Sequence, residues 1–577
     1  MTVLAFLPHR SRIVPQDKRL SRRLGLLLAG LLLQSAPCQS AQAQILVPVP
    51  QSPTIDRDRI DRQDPNVPRV PAPTQVPQAQ PPVVAGTSNT PSRGPGVMLN
   101  ALRYEGSTLP RATLDKAVAV FIGAPLNQDN LQKIANVISA TYAQSDIAFY
   151  AVTVPPQVPT GGVITIRVLE GRITEYALDG KTKSTPTRLI DAQVKRLMRE
   201  TPTHKSSIER TISLLRDIPG QTVQASLKPT ARPGELALDL KVERKQIDVT
   251  LNVNNAGVVN VTTGVQSQVG VSVNGVLREG DTTRLSGNVP FNPERYQFYS
   301  VSHATPIGSN GTTLGVSGAY VRTKTKDLDI VGEAKQAGIA ISHPLIRSYR
   351  RNLSLSLSLD GTNSNNYFLD TTFGGFKTRA VRLGTVWSSI DKTGGYAIST
   401  SLSQGLDGLG ARPIEGYSEA GFRKANVQIT AVKELSKTIS VRATVRGQYT
   451  RDKLPTTERF SLGGDGAGMA YRVGIITADK AAAGGLEVNW RVAGKPAASA
   501  RGLTVFAYTD AALAHSYARP AYALASENVT LATAGGGVRI TPIKGWTASA
   551  QVAVPVKSPY EYYSKKARFF FSVSRTV

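Results

Sequence analysis

The chain has 577 residues, with 68 lysines and arginines against 41 aspartates and glutamates, a formal charge of +27 and a single cysteine. No apolar run reaches the about 20 residues that a membrane-spanning helix needs, which excludes a helical inner-membrane protein but leaves a transmembrane barrel, where only alternate residues meet lipid. The bases are spread along alternating segments and are not interleaved with stacking aromatics, which argues against a nucleic-acid partner; a basic pore lining or contact with anionic headgroups accounts for the charge as well.

Residues 1–43 read as a cleavable export signal. Lys18, Arg19, Arg22 and Arg23 make a basic head, Leu24 to Leu33 an apolar core, and Ala41-Gln42-Ala43 a small-x-small cleavage site before Gln44. Six bases and one acid, Asp17, leave with it, so roughly +22 stays on the mature chain. Cys38 leaves too, and Ser35 stands where lipidation would need a leucine, so the mature chain is expected to hold neither a disulfide nor a thiolate metal site. Residues 44–96 form a proline-rich linker that cannot bury a core and is expected to be extended. Within it, Thr54 to Asp64 could form a short capped helix with Ile55 and Ile60 as its apolar residues, or remain a solvated charged segment.

A first compact unit is predicted over 97–172. A strand over 99–104 and a turn at Gly106 lead to a helix over 111–121 and a second over 127–145. On the second helix Leu131, Ile134, Ala135, Ile138 and Tyr142 recur at the three-four spacing of one buried face. Strands over 148–155 and 163–169 follow; in the latter Ile164, Ile166 and Val168 alternate with Thr165 and Arg167. Residues 173–245 repeat the plan with a strand to Gly180, helices over 186–199 and 205–216, and paired strands.

From 246 to 577 the period changes to two. Leu353, Leu355, Leu357 and Leu359 alternate with Ser354, Ser356 and Ser358, as on a strand with lipid on one face and water on the other. At about 10 residues per strand and a similar allowance per loop, this half yields about 16 antiparallel strands. A barrel of that size has an aqueous lumen that would leak unless something fills it. The stretch 459–474, broken by Gly463, Gly464, Gly466 and Gly468, is the natural filler, because glycines allow the positive φ angles and close approach of a packed loop. A nearby Val445-Arg446-Gly447 lies in strand-like sequence and is read as part of a strand.

The strand-helix-helix-strand-strand order resembles a POTRA domain, as do Gln157, Gly161-Gly162-Val163 and Glu170-Gly171-Arg172 in the first unit and Leu215 to Gly220 in the second. Phe460, Leu462, Gly463, Gly464 and Tyr471 resemble the in-folded loop of the two-partner secretion transporters (TpsB; the ShlB/FhaC/HecB family, related to BamA-type barrel assembly proteins), with Met469 where that family carries arginine. Asn254-Asn255-Ala256-Gly257, Glu279-Gly280-Asp281, Pro306-Ile307-Gly308, Pro344 to Ser348 and Phe506 to Asp510 resemble further runs of the family, and the last strand, 568–577, resembles a barrel assembly signal with Val577 for the usual terminal aromatic.

This resemblance implies a transmembrane antiparallel β-barrel of about 16 strands over 246–577, preceded by two periplasmic α+β POTRA domains, in a Gram-negative outer membrane. It implies translocation of an unfolded, TpsA-like secreted exoprotein, with no cofactor. The loop tip would comprise Gly463, Gly464, Met469, Tyr471 and Arg472, with Arg472 replacing the missing arginine and pairing with Asp510 on the barrel wall. The client would add a strand at the edge of the first POTRA domain beside its second helix, a groove marked by Leu131, Ile134, Ile138, Tyr142, Ile164 and Ile166. A plug helix is implied near Thr54 to Asp64. Outer-membrane lipid and lipopolysaccharide, periplasmic chaperones and the barrel assembly machinery are the other expected partners. Two readings stay open beside this one: an assembly factor of the BamA type and a passive porin-like channel.

Catalytic and metal sites are not expected. His9, His204, His303, His343 and His515 are scattered without metal spacing, no nucleophile elbow occurs, and the glycine run at 463–468 lacks the lysine-serine/threonine of a phosphate loop. Asp510 and His515, five apart on a strand, face opposite sides.

Overall fold

In the computed structural model residues 97–577 are described apart from 180–186, 258–260, 262–263, 291–292, 326–329, 369–370, 493–501, 544 and 564. The expected signal, Cys38, the proline-rich linker and its short helix lie outside the described residues. The first unit runs β1 (Ala101–Glu105), α1 (Arg111–Val118), α2 (Gln128–Gln144), β2 (Tyr150–Thr153) and β3 (Val163–Glu170), with sheet order β1-β3-β2. Helix α2 begins where the Asn127 side chain accepts from the Asn130 N–H at 2.8 Å, satisfying one of the donors that a helix start leaves free. Its apolar stripe packs on Leu102, Leu114 and Val152 and on the inward side of β3.

This packing corrects the expected client groove. Leu131, Ile134, Ile138, Tyr142, Ile164 and Ile166 are 9, 1, 0, 0, 2 and 0% exposed, so all six are core. The three-four and two-residue periods mark what the domain buries in itself, and a client could reach these side chains only by unfolding it.

After Gly171 the chain enters β4 (Arg172–Asp179) of the second unit, followed by α3 (Arg188–Leu197), α4 (Lys205–Arg216), β5 (Gln221–Pro229) and β6 (Glu235–Arg244), in sheet order β4-β6-β5. Both helix starts in this unit are capped by neighbouring parts of the chain. Asp146 of the first unit accepts from the Ser206 N–H at 3.0 Å at the start of α4. Glu279, on a barrel turn, accepts from the Leu189 N–H at 2.9 Å at the start of α3. A second turn inserts Tyr349 among Ile190, Leu215, Leu238 and Leu240, with the Arg216 guanidinium 5.9 Å from its ring. Arg347 on that turn pairs with Asp217.

Sixteen of the remaining eighteen strands, from β7 (Ile247–Asn254) to β24 (Arg568–Thr576), close into one antiparallel barrel. Leu355, Leu357, Leu359, Leu383 and Leu402 point outward and are 36–58% exposed, a band suited to lipid and costly in water. Trp387, Trp490 and Trp546 all lie near the POTRA-side rim, where amphipathic rings sit at a membrane surface. The seam between first and last strands is short: β24 and β7 share five register pairs, against eighteen between β13 (Arg351–Phe368) and β14 (Thr371–Ile390). Beyond Asn254 the Asn255 side chain continues the ladder, donating to the Phe569 carbonyl at 3.0 Å and accepting from the Phe571 N–H at 2.9 Å.

Candidate functional site

Between β17 (Ile439–Thr450) and β20 (Lys480–Arg491) the chain turns inward, at the end of the barrel away from the POTRA units. Two short strands, β18 (Phe460–Leu462) and β19 (Ile476–Ala478), pair as a stem. The tip is built on glycines: Gly463, Gly464, Gly466, Gly468 and Gly474 all have φ between 68 and 109°. A side chain at Gly463 would meet the Arg472 carbonyl at 2.0 Å, and one at Gly468 would meet Leu531 at 2.6 Å, so both the turn and its approach to the wall depend on a missing Cβ. The Gly463 N–H donates to the Ala467 carbonyl and the Gly464 N–H to the Tyr471 carbonyl, which closes the tip on itself.

The tip lies against the inner wall. Phe460, Leu462, Ala467, Tyr471 and Ile476 form one apolar cluster with Ala481, Ala483, Ala512, Val529 and Leu531, which are inward residues of β20, β21 (Thr504–Ser516) and β22 (Glu527–Ile540). The Tyr471 hydroxyl donates to Ser558 Oγ at 3.1 Å. Arg446, an inward residue of β17, sits 5.1 Å from the Phe460 ring, so the Val445-Arg446-Gly447 run is strand and touches the loop from outside.

The expected Arg472–Asp510 pair does not form. Asp510, 4% exposed, accepts from Thr533 Oγ1 at 2.8 Å and from the Met469 N–H at 3.2 Å. It therefore holds the tip through a backbone N–H, which any residue but proline at 469 supplies. Arg472 lies half-buried.

Charge fixes the loop at its two ends instead. Where the loop enters, Glu458 (side chain 1% exposed) accepts from Arg382 Nη2 at 2.7 Å and Nη1 at 3.1 Å, and pairs with Lys424 at 2.9 Å. Arg382 also donates to both oxygens of Asp360, at 2.7 and 3.1 Å. Two cations thus offset two carboxylates in a cluster whose side chains are at most 6% exposed. Where the loop leaves, Asp479 accepts from Arg519 Nη2 and Nη1 at 2.9 and 3.1 Å and from the Leu454 and Tyr517 N–H groups at 3.0 and 2.9 Å. Arg519 further donates to the Tyr417 and Leu454 carbonyls, which ties three loops at that end to one guanidinium.

Sequence reasoning missed this set. Asp360 was findable, since it continues the polar face of Ser354, Ser356 and Ser358. Arg382, Asp479 and Arg519 carry no local signal, because their ion-pair partners are 20 to 76 residues away.

The family model described as haemolysin secretion/activation protein ShlB/FhaC/HecB matches residues 234–540, and that of the ShlB-type POTRA domain matches 97–171. The heme/hemopexin transporter protein HuxB of Haemophilus influenzae (strain 86-028NP) is 23% identical over 381 residues, covering 62% of this chain and 66% of HuxB, just under two thirds. Among solved structures, CdiB from Escherichia coli superposes with a TM-score of 0.71 at 18% identity over 87% of this chain and 94% of that one. BamA from Haemophilus ducreyi lacking POTRA domains 1-3 gives 0.50 at 14% identity over 84% and 100%. The chain belongs to the ShlB/FhaC/HecB family, as an outer-membrane β-barrel with its POTRA domains in the periplasm.

Proposed function

We propose that this protein passes one unfolded exoprotein across the outer membrane, receiving it on the POTRA domains and releasing it at the surface. The observation that carries this reading is a wide lumen filled by the chain's own loop, tethered at its two ends by ion pairs and packed by small residues at its tip. Such a filler seals the pore at rest and can be displaced without unfolding the wall. Capture by strand addition suits the free edge of β2, which runs beside α2. With the six core residues unavailable, the client-facing side chains are the partly exposed Val137, Thr141, Tyr150 and Val154. No nucleotide is at hand in the periplasm, so folding of the client outside supplies the drive. Lipopolysaccharide and lipid contact the outward band, and chaperones and the assembly machinery serve biogenesis.

The five-pair seam favours a second reading, an assembly factor that opens between β7 and β24. A client arrested by a folded C-terminal fusion separates the two. Photo-crosslinkers at Tyr150 and at Thr444 on the lumen wall should both capture it if it crosses through the lumen. Capture only at the lipid-facing Val253 or Val573 of the seam would favour assembly.

A further inference from the structure

On β12 (Ile330–Arg347), β13 and β14 the outward side chains change character at one level. Ile339, Leu359 and Val381 form one register row across the three strands, and they face lipid. Four residues farther from the POTRA units the corresponding row is Lys335, Asn363 and Lys377, all exposed. Lys377 stands ten residues along β14 from Trp387 at the POTRA-side rim. At about 3.4 Å per residue and a strand tilt of about 40°, that is about 26 Å along the membrane normal, against about 25 Å for an outward apolar band. The two lysines therefore sit at the outer boundary of the lipid.

Arg379 lies between the two rows. Its side chain crosses Gly361 of β13, where a Cβ would come within 2.8 Å of Arg379 Cδ, and its Nε donates to the Leu409 carbonyl at 3.1 Å. That bond holds the bulge 406–411 against β14, with Leu409 at a φ of 52° and 68% exposed. A leucine in this left-handed conformation is strained and persists only where its surroundings hold it. The bulge returns at Arg412, whose backbone pairs with that of Lys377. Lys335, Lys377 and Arg412 are exposed and have no ion pair among the described residues. Of the carboxylates on this side, Glu333 is engaged by Tyr320 and Arg322, which leaves the exposed Asp407 of the bulge against four bases.

We propose that this outer face, through Lys335, Lys377, Arg379 and Arg412, binds the phosphorylated glucosamine headgroup of an outer-leaflet lipid A. The inference narrows the general lipid contact proposed above to one place on the barrel. Lys335 and Lys377 stand two strand spacings apart, about 10 Å, a span that a headgroup with a phosphate at each end can bridge. Charge-assisted hydrogen bonds from the bases take the phosphates, the Asn363 amide between the lysines suits sugar hydroxyls, and the apolar row beneath takes acyl chains. Seated there, the lipid also covers the bulge that Arg379 holds.

The test uses the full mature protein in a neutral detergent, titrated with diphosphoryl lipid A and separately with its dephosphorylated form, with bound copies counted by native mass spectrometry. The unchanged protein should bind the diphosphoryl form about tenfold more tightly. Lys335→Gln with Lys377→Gln should lower that affinity about tenfold. Asn363→Asp, which sets a carboxylate between the lysines, should lower it as well, whereas Arg575→Gln at the opposite rim should leave it unchanged. The heat-modifiable band of each variant reports that the barrel is folded. Diphosphoryl binding that survives in both site variants, or falls equally in Arg575→Gln, overturns this site and leaves the wider lipid contact standing. Equal affinity for the two lipids overturns phosphate recognition, and no binding of either overturns the lipid contact as well.

Discussion

Glu458 and Arg382 meet in a two-point ion pair, 2.7 and 3.1 Å, with side chains 1 and 6% exposed, between the entrance of the in-folded loop and the barrel wall. Removing one partner leaves the other as a buried, uncompensated charge, which costs about 3–5 kcal/mol. Glu458→Ala is expected to free the loop while the barrel, closed by its own ladders, stays folded. Planar-bilayer recordings should show raised and fluctuating conductance, with normal heat-modifiable mobility on gels.

Asp479 and Arg519 set the other end, where one buried guanidinium ties three loops. Since the expected mature chain has no cysteine, Ala467→Cys reports on the tip from a position that is 0% exposed. Alkylation of that thiol from outside intact cells should be slow in the otherwise unchanged protein and at least tenfold faster with Asp479→Asn added, by the same loss of a buried charge partner.

The joint between the second POTRA domain and the barrel depends on Glu279. Burial raises its carboxyl pKa, and the Leu189 N–H and Arg244 offset this only in part. A folded pKa above the unfolded value of about 4.3 makes the ionised form the costly one, so this contribution to stability is lost as pH rises through the folded value and regained on acidification. Proteolysis of the joint should therefore slow from pH 7.5 to pH 5. Glu279→Gln should flatten that dependence while keeping the helix cap, and Glu279→Ala should weaken the joint by about 1 kcal/mol at either pH.

Tyr349 seats the barrel turn in the core of that domain. Tyr349→Ala opens a cavity there, at about 3–5 kcal/mol by analogy with large aromatic truncations. Spin-label distances between the second POTRA domain and the barrel should broaden, with barrel melting unchanged.

In the first POTRA domain, neighbouring positions on α2 should separate folding from capture. Ile138→Ala, in the core at 0% exposure, should cost about 2–5 kcal/mol and lower the amount of protein present. Val137→Lys, one residue away and partly exposed, should leave melting within about 0.5 kcal/mol and reduce client crosslinking to Tyr150.

Periodicity carried the fold a long way. The alternation in 353–360 gave strands with one lipid face, the three-four spacing in 131–142 gave a buried helix face, and sixteen strands close as the residue count predicted. The same signals misled at the client groove, because a period reports burial and cannot distinguish a domain's own core from a surface kept for a partner. In the lumen, local pattern located the glycine tip and missed its anchors. Glu458 and Arg382 are 76 residues apart, and nothing near either marks the other, since their meeting is set by barrel closure and by the inward turn of the loop. Arg472 was assigned to Asp510 by analogy, but Asp510 accepts from the Thr533 hydroxyl and the Met469 N–H instead.

The most direct test of the transport reading is the surface and secreted proteome of a strain lacking this protein, compared with the same strain complemented. We predict that one large exported protein disappears from the surface or medium and collects in the periplasm, while other outer-membrane barrels keep their levels. A general fall in outer-membrane barrels with no single client lost would contradict this reading and favour an assembly factor.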